Sequence, residues 1–197
     1  MTNWIKILIT FLLVPLYSCN DTYTPKPRDY PNINFPEKVY QSYRPLNCPF
    51  TFDYPSYAHI EQDSFFFGKQ TENPCWFNIK FPQFNATLYF SYKVIGDGYT
   101  LRSLSDDAYT LTFKHAEKAD FIEPKVIETT HNVYGLIYDV GGNAASSIQL
   151  FLTDTTNNFL RAALYFHEEP NADSLAPVIQ FINRDIMHLI ETLRWKN

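Results

Sequence analysis

Three runs near the C-terminal half constrain the fold most: NVYGLIYDV (132–140), SSIQLFLTD (146–154) and FLRAALYFH (159–167). Each is rich in β-branched, aromatic and aliphatic residues, and each is followed or preceded by a turn signal. GGN at 141–143 and TTNN at 155–158 leave too little chain for a crossover. Parallel neighbours need a dozen or more connecting residues, so these three strands are expected to form an antiparallel meander.

Other segments share the period-two pattern. CPFTFDYP alternates Phe50, Phe52 and Tyr54 against Thr51 and Asp53, as a half-buried strand does. SFFFGK, CWFNIKF, ATLYFSYKVI and FIEPKVIE read as further strands, with a turn at GDG (96–98). Two segments carry helical spacing instead. Leu101, Leu104, Ala108, Leu111, His115 and Ala119 predict a helix over 103–119, capped by Ser103, Ser105 or Asp106. Leu175, Val178, Ile179, Ile182, Ile186, Leu189, Ile190 and Leu193 form one apolar stripe over 174–194. Gln180, Asn183, Arg184, Asp185 and Glu191 are expected to flank it. Asp173 or Ser174 would cap it, and Pro177 would fall in its first turn. The polar face mixes both charge signs, which favours packing across a sheet over lying on a membrane. The expected fold class is α+β: a mostly antiparallel sheet flanked by helices, in one domain over 46–197.

The chain opens differently. Ile7 to Val14 is apolar apart from Thr10, and Pro15 interrupts it. Crossing a bilayer takes about 20 apolar residues, so this run suits the core of a secretory signal. Leu16-Tyr17-Ser18-Cys19 resembles a bacterial lipobox, although Tyr17 is bulkier than usual. Residues 1–18 are therefore expected to be a lipoprotein signal peptide, and Cys19 the acylated first residue. Each buried methylene contributes about 0.8 kcal/mol, so two or three chains anchor where one barely does. Residues 19–45 hold Pro25, Pro27, Pro31, Pro36 and Pro45 and read as a lipidated tether. FPEKVYQSY within it is open to a helical turn or a strand. At about 3.1 Å per residue, Asn20 to Pro36 would reach roughly 50 Å from the anchor.

Losing residues 1–18 removes Lys6 and leaves 15 basic against 21 acidic side chains, a net charge near −6. That balance argues against nucleic acid and against electrostatic attachment to anionic lipid. Exclusion of Cys19 leaves Cys48 and Cys75 in an exported chain, where a disulfide is plausible and two buried thiols are the alternative.

No stretch carries a specific catalytic signature. His59, His115, His131, His167 and His188 form neither HxH nor HExxH, so no metal site is expected, HEEP at 167–170 included. GGNAASS lacks both the P-loop lysine and the dinucleotide glycine spacing. Asp106-Asp107 and Glu168-Glu169 read as solvated acidic pairs rather than glycosidase carboxylates. Tyr89, Tyr92, Tyr134, Tyr138 and Tyr165 sit on strands, where cross-strand packing is commoner than a ligand platform. The chain is thus not expected to be an enzyme or to need a cofactor.

YTPKPR, CPFTFDYP, NPCWFNIKFP, YGLIYDVGGNAASSIQLFLTD, FLRAALYFHEEPN and DSLAPVIQFINRDIMHLIETLRW together resemble the gliding-motility lipoprotein GldD family, from Cys19 to Lys196. The resemblance implies a cell-envelope lipoprotein needed for gliding and for the linked type IX secretion machinery. It implies a lipid anchor on Cys19, facing the periplasm and favouring the outer membrane, with components of that machinery as protein partners. It brings no catalytic residues. Cys48 and Cys75 fall in its CPF and PCW segments. The order of strands and helices is also similar to PsbP/Mog1-type α/β/α sandwiches, an analogy of fold that carries no function. A periplasmic glycan- or peptide-binding module is the alternative reading.

Overall fold

In the computed structural model, residues 33–62, 65–66, 69–70, 73–96 and 98–196 are described, all within the unit Asn32–Asn197. The Cys19 anchor and the signal segment lie outside these residues.

The meander forms as the turns require. Strands β8 (Ala119–Glu128), β9 (Tyr134–Gly142), β10 (Ser146–Thr153) and β11 (Asn158–Phe166) run antiparallel in sequence order. β11 then pairs with β7 (Ala86–Val94), β7 with β6 (Phe77–Phe81), and β6 with β3 (His59–Gln62). The result is a seven-stranded sheet in the order β3-β6-β7-β11-β10-β9-β8. β10 is buried at every position, because both faces of the sheet are covered.

One face carries the main core. Leu150, Leu152, Leu160, Leu164, Leu88 and Phe90 meet Phe181, Ile182, Ile186, Leu189 and Ile190 of the long C-terminal helix. The same layer holds a small second sheet of β1 (Tyr40–Tyr43), β2 (Phe50–Pro55) and β12 (Arg194–Trp195), in the order β1-β2-β12. Phe50 and Phe52 project from β2 into rings of the large sheet, where Phe77 stacks on Phe90 at 4.5 Å. Fully burying one such ring contributes about 1.5–3 kcal/mol. Strands β4 (Phe65–Phe66) and β5 (Lys69–Gln70) form a separate two-stranded hairpin.

The helix α1 (Leu101–Phe113) covers the opposite face, setting Leu104 and Ala108 on Phe151 and Phe159. Thr100 caps it, with Ser103 returning the bond in a capping box. The helix therefore starts before the expected 103 and stops at Phe113, short of 119. The helix α2 (Ala172–Thr192) is capped by Asn171, whose Oδ1 accepts from the Ser174 N–H at 3.2 Å. Asp173 and Ser174 thus lie inside the helix, where Asp173 suits the positive end of the dipole. Pro177 lies beyond the first turn, so one interior backbone bond is lost there.

The folded domain begins upstream of residue 46. Within the segment read as tether, FPEKVYQSY takes the strand alternative: Tyr40–Tyr43 pair with Phe52–Pro55. Phe35 stacks on Phe181 at 4.5 Å between ring centres. Proline content does not reveal this, because Phe35, Lys38 and Tyr40 dock by their side chains on α2, which backbone propensity does not report. At the other end, Lys196 Nζ reaches the carbonyls of Pro45 and Cys48. A disulfide joins Cys48 to Cys75, with Cα atoms 5.5 Å apart, linking the approach to β2 with the approach to β6.

Candidate functional site

Three places on the domain gather side chains able to do more than fill space. The first is the outer surface of α1 and the adjoining strand β8. Burying Leu104 and Ala108 inward turns Tyr109 and Phe113 outward, at helical spacing. Their rings stack at 4.2 Å and remain 52% and 36% exposed. Phe113 meets Tyr138 edge-on at 6.5 Å, and the β8 register sets Pro124 beside that same Tyr138. Val126, two residues along on the same face, is 81% exposed. β8 is also an edge strand, with its outer backbone groups unpaired within the sheet. Pro124, Lys125 and Glu123 interrupt it with the residue types that blunt edges against indiscriminate pairing. The combination is an aromatic ridge beside a guarded edge, a surface suited to protein contact.

The second place is polar. Asp185 is 2% exposed within α2, and three side chains from the chain's beginning converge on it. Lys38 Nζ lies 2.5 Å from Oδ1, the Tyr40 hydroxyl donates to Oδ1 at 2.9 Å, and the Tyr57 hydroxyl donates to Oδ2. Lys38 also donates to the Phe181 carbonyl at 3.1 Å and stands 3.6 Å above the Phe181 ring centre. Burial, and then the bond to Asp185, pushes the Tyr40 phenol up to about 12. The same causes raise Tyr57, so both remain donors at neutral pH. Both carboxylate oxygens of Asp185 accept from these side chains, so this network works as a clamp. The sequence reading set Asp185 on the polar flank of the helix. The structure corrects this: i, i+4 spacing from Phe181 and to Leu189 turns it inward.

The third place lies on the sheet face beside α1, where Arg161 and Gln149 share a bond of 2.5 Å. His115 Nε2 and the Tyr165 hydroxyl are 3.4 Å apart nearby, and Tyr89 meets Tyr165 edge-on at 5.8 Å.

The residues singled out from sequence distribute as follows. Tyr92 is buried in the main core and donates to Asn158 Oδ1 at 2.7 Å, whereas Tyr138 is buried on the opposite face. The five strand tyrosines therefore form no single platform; Tyr89 and Tyr165 are the pair that meet. His167 Nε2 sits 2.9 Å from Thr87 Oγ1, and Glu168 accepts from Asn85 Nδ2 at 2.7 Å, so HEEP ties the end of β11 to the turn before β7. The GGN turn has a structural task as well: Gly142 takes φ +84°, and Asn143 Oδ1 accepts from the Ala172 N–H at 3.0 Å. Asp106 is exposed and faces Arg102 at 3.8 Å. Among the described residues, no three His, Cys, Asp or Glu side chains come together as metal ligands, and no helix is long and apolar enough to cross a membrane.

A family model described as "Gliding motility lipoprotein GldD" matches residues 20–195 of this chain. The chain belongs to that family. Membership makes it a gliding-motility-associated lipoprotein, held at a membrane of the cell envelope. No curated protein matches it. Among solved structures, it is similar to the solution structure of cyanobacterial PsbP from Synechocystis sp. PCC 6803, at 13% identity and a TM-score of 0.46, covering 85% of this chain and 97% of that one.

Proposed function

We propose that this family member is a non-enzymatic accessory factor, tethered by acyl chains on Cys19 at the periplasmic side of the outer membrane. It supports the gliding machinery and the linked type IX secretion machinery by protein contact. The family match over residues 20–195 carries this reading. The aromatic ridge of Tyr109 and Phe113 beside the β8 edge supports the mode of action, because it offers apolar area outside the core.

A chromosomal Tyr109→Ser/Phe113→Ser replacement tests it. Both side chains are exposed enough for the domain to keep its fold. The expected result is wild-type protein level in the envelope with gliding and secretion both impaired. Wild-type gliding and secretion at equal protein level would reject contact through this ridge.

A further inference from the structure

The β8 edge cannot take up another strand along its length. The Thr129 N–H donates to the Val133 carbonyl at 3.0 Å, next to the Glu128–Tyr134 pair of the β8–β9 ladder. Successive residues of a strand send their backbone groups to opposite sides. Ile127, Lys125 and Glu123 therefore bond to β9, whereas Glu128, Val126 and Pro124 turn their backbone groups outward. Pro124 costs the β9 ladder no bond, but its ring stands where an incoming strand would need a donor. An added strand would be broken in mid-edge. Contact on this side of the domain falls instead to side chains, those of the α1 ridge and Val126.

The ridge belongs to a longer stripe. Arg102, Asp106, Tyr109 and Phe113 lie four, three and four residues apart, on the side of α1 turned away from its buried residues Leu104, Ala108 and Thr112. The Arg102 and Asp106 side chains are 92% and 74% exposed, and their 3.8 Å ion pair holds them weakly. The Tyr109 and Phe113 rings stack on each other and remain exposed. The spacing four, three, four reads the same from either end. Two such helices packed antiparallel set Arg102 of one copy opposite Phe113 of the other, and Asp106 opposite Tyr109, each pair occurring twice. A guanidinium is attracted to an aromatic face, and a phenol hydroxyl donates to a carboxylate. The polar half of one stripe thus meets the aromatic half of the other, which is the self-complementarity a two-fold contact requires.

We propose that the α1 stripe docks a second copy of this chain, helix against antiparallel helix across a two-fold axis. The proposal rests on the ridge as a contact surface and names its occupant. Four stripe residues and Val126 are fewer than the roughly 20–30 residues on each side of a standard interface. Pairing is therefore weak between free molecules, and anchors that hold two copies on one membrane supply the local concentration.

The test is photo-crosslinking in cells that carry the full chain, with p-benzoyl-phenylalanine in place of Tyr109. A second strain carries the probe at Thr110, exposed beside the stripe, so that no result depends on replacing a stripe ring. Glu191, exposed on α2, is the control position. The expected result is a product of twice the chain mass from Tyr109 and Thr110, with the linked peptide drawn from α1 of the second copy, and none from Glu191. Arg102→Ser leaves the buried side of α1 untouched and should lower that yield about five-fold. A cross-link from both ridge positions to a different protein alone would overturn docking of a second copy while leaving contact through the ridge intact. No cross-link from either position would overturn the proposal and leave the ridge without a partner. A self-product whose yield is unchanged by Arg102→Ser would overturn the antiparallel stripe.

Discussion

Asp185 illustrates how much one buried charge organises. Its carboxylate gathers Lys38, Tyr40 and Tyr57 from up to 147 residues away and fastens the start of the domain to its last helix. Replacing one member of a buried ion pair strands the other, so Asp185→Ala should cost about 3–5 kcal/mol. Urea unfolding of the two proteins measures it; a loss under about 1 kcal/mol would show that the clamp is not a stabilising contact. Asp154 works at the β10–β11 turn. Burial opposes its charge, but the backbone N–H groups of Asn158, Asn157 and Thr156 donate to Oδ1 at 2.9, 2.8 and 3.0 Å and hold the carboxyl below its ordinary 3.8. A depressed folded value means stability that is present above 3.8 and is lost as pH falls through the folded value. The stability gap between wild type and Asp154→Asn should therefore shrink in acid below about pH 4; a constant gap would contradict the assignment. These charged letters are visible in the sequence, Arg161 most plainly within the apolar FLRAALYF run. Their partners are not, because pairing is set by tertiary register.

The elements divide by how local their causes are. The meander from β8 to β11 follows from alternation and short turns, and α2 from an apolar stripe that repeats over five turns, so both are legible. β3 and β12 are not, and β1 is legible only as one of two alternatives. HIEQ of β3 and YQSY of β1 carry little apolar alternation, and β12 is two residues long. Each is a strand because a neighbour offers an open edge. Helix starts differ from the periodic stripes for a related reason: Thr100 and Asn171 lie outside those stripes, and their capping bonds show only in three dimensions. Close strand contact also fixes Gly135, where a Cβ would stand 1.9 Å from the Phe151 carbonyl oxygen. Gly135→Ala should destabilise by about 1–3 kcal/mol through backbone displacement in β9. A thermal midpoint unchanged from wild type would show that the strands can separate at no cost. The Cys48–Cys75 bond closes a long loop between the two sheets. Replacing both cysteines by serine should cost roughly 3–4 kcal/mol, read from the same unfolding curves. An unchanged midpoint would leave the bond with no part in stability.

At the scale of the molecule, a seven-stranded sheet is covered on one side by α2 and the small sheet, and on the other by α1. Covering both faces leaves β8 as an edge and the α1 ridge as exposed apolar surface, which is where the contact reading rests. Strand docking draws the domain's start back to residue 33, so the chain between Cys19 and Ile33 can span at most about 50 Å. The proposed anchor is acyl chain rather than charge, in keeping with a net charge of −5 for the whole chain. Family membership was legible from long matching segments, whereas the occupant of the ridge needs the fold, which turns the α1 stripe outward. Mooring of this body through Cys19 is the proposal on which envelope localisation and reach both depend. Intact mass spectrometry of the protein purified from its native envelope tests it most directly. The expected mass is that of a chain beginning at Cys19 with acyl chains added there; a retained leader or an unmodified Cys19 thiol would refute the anchor.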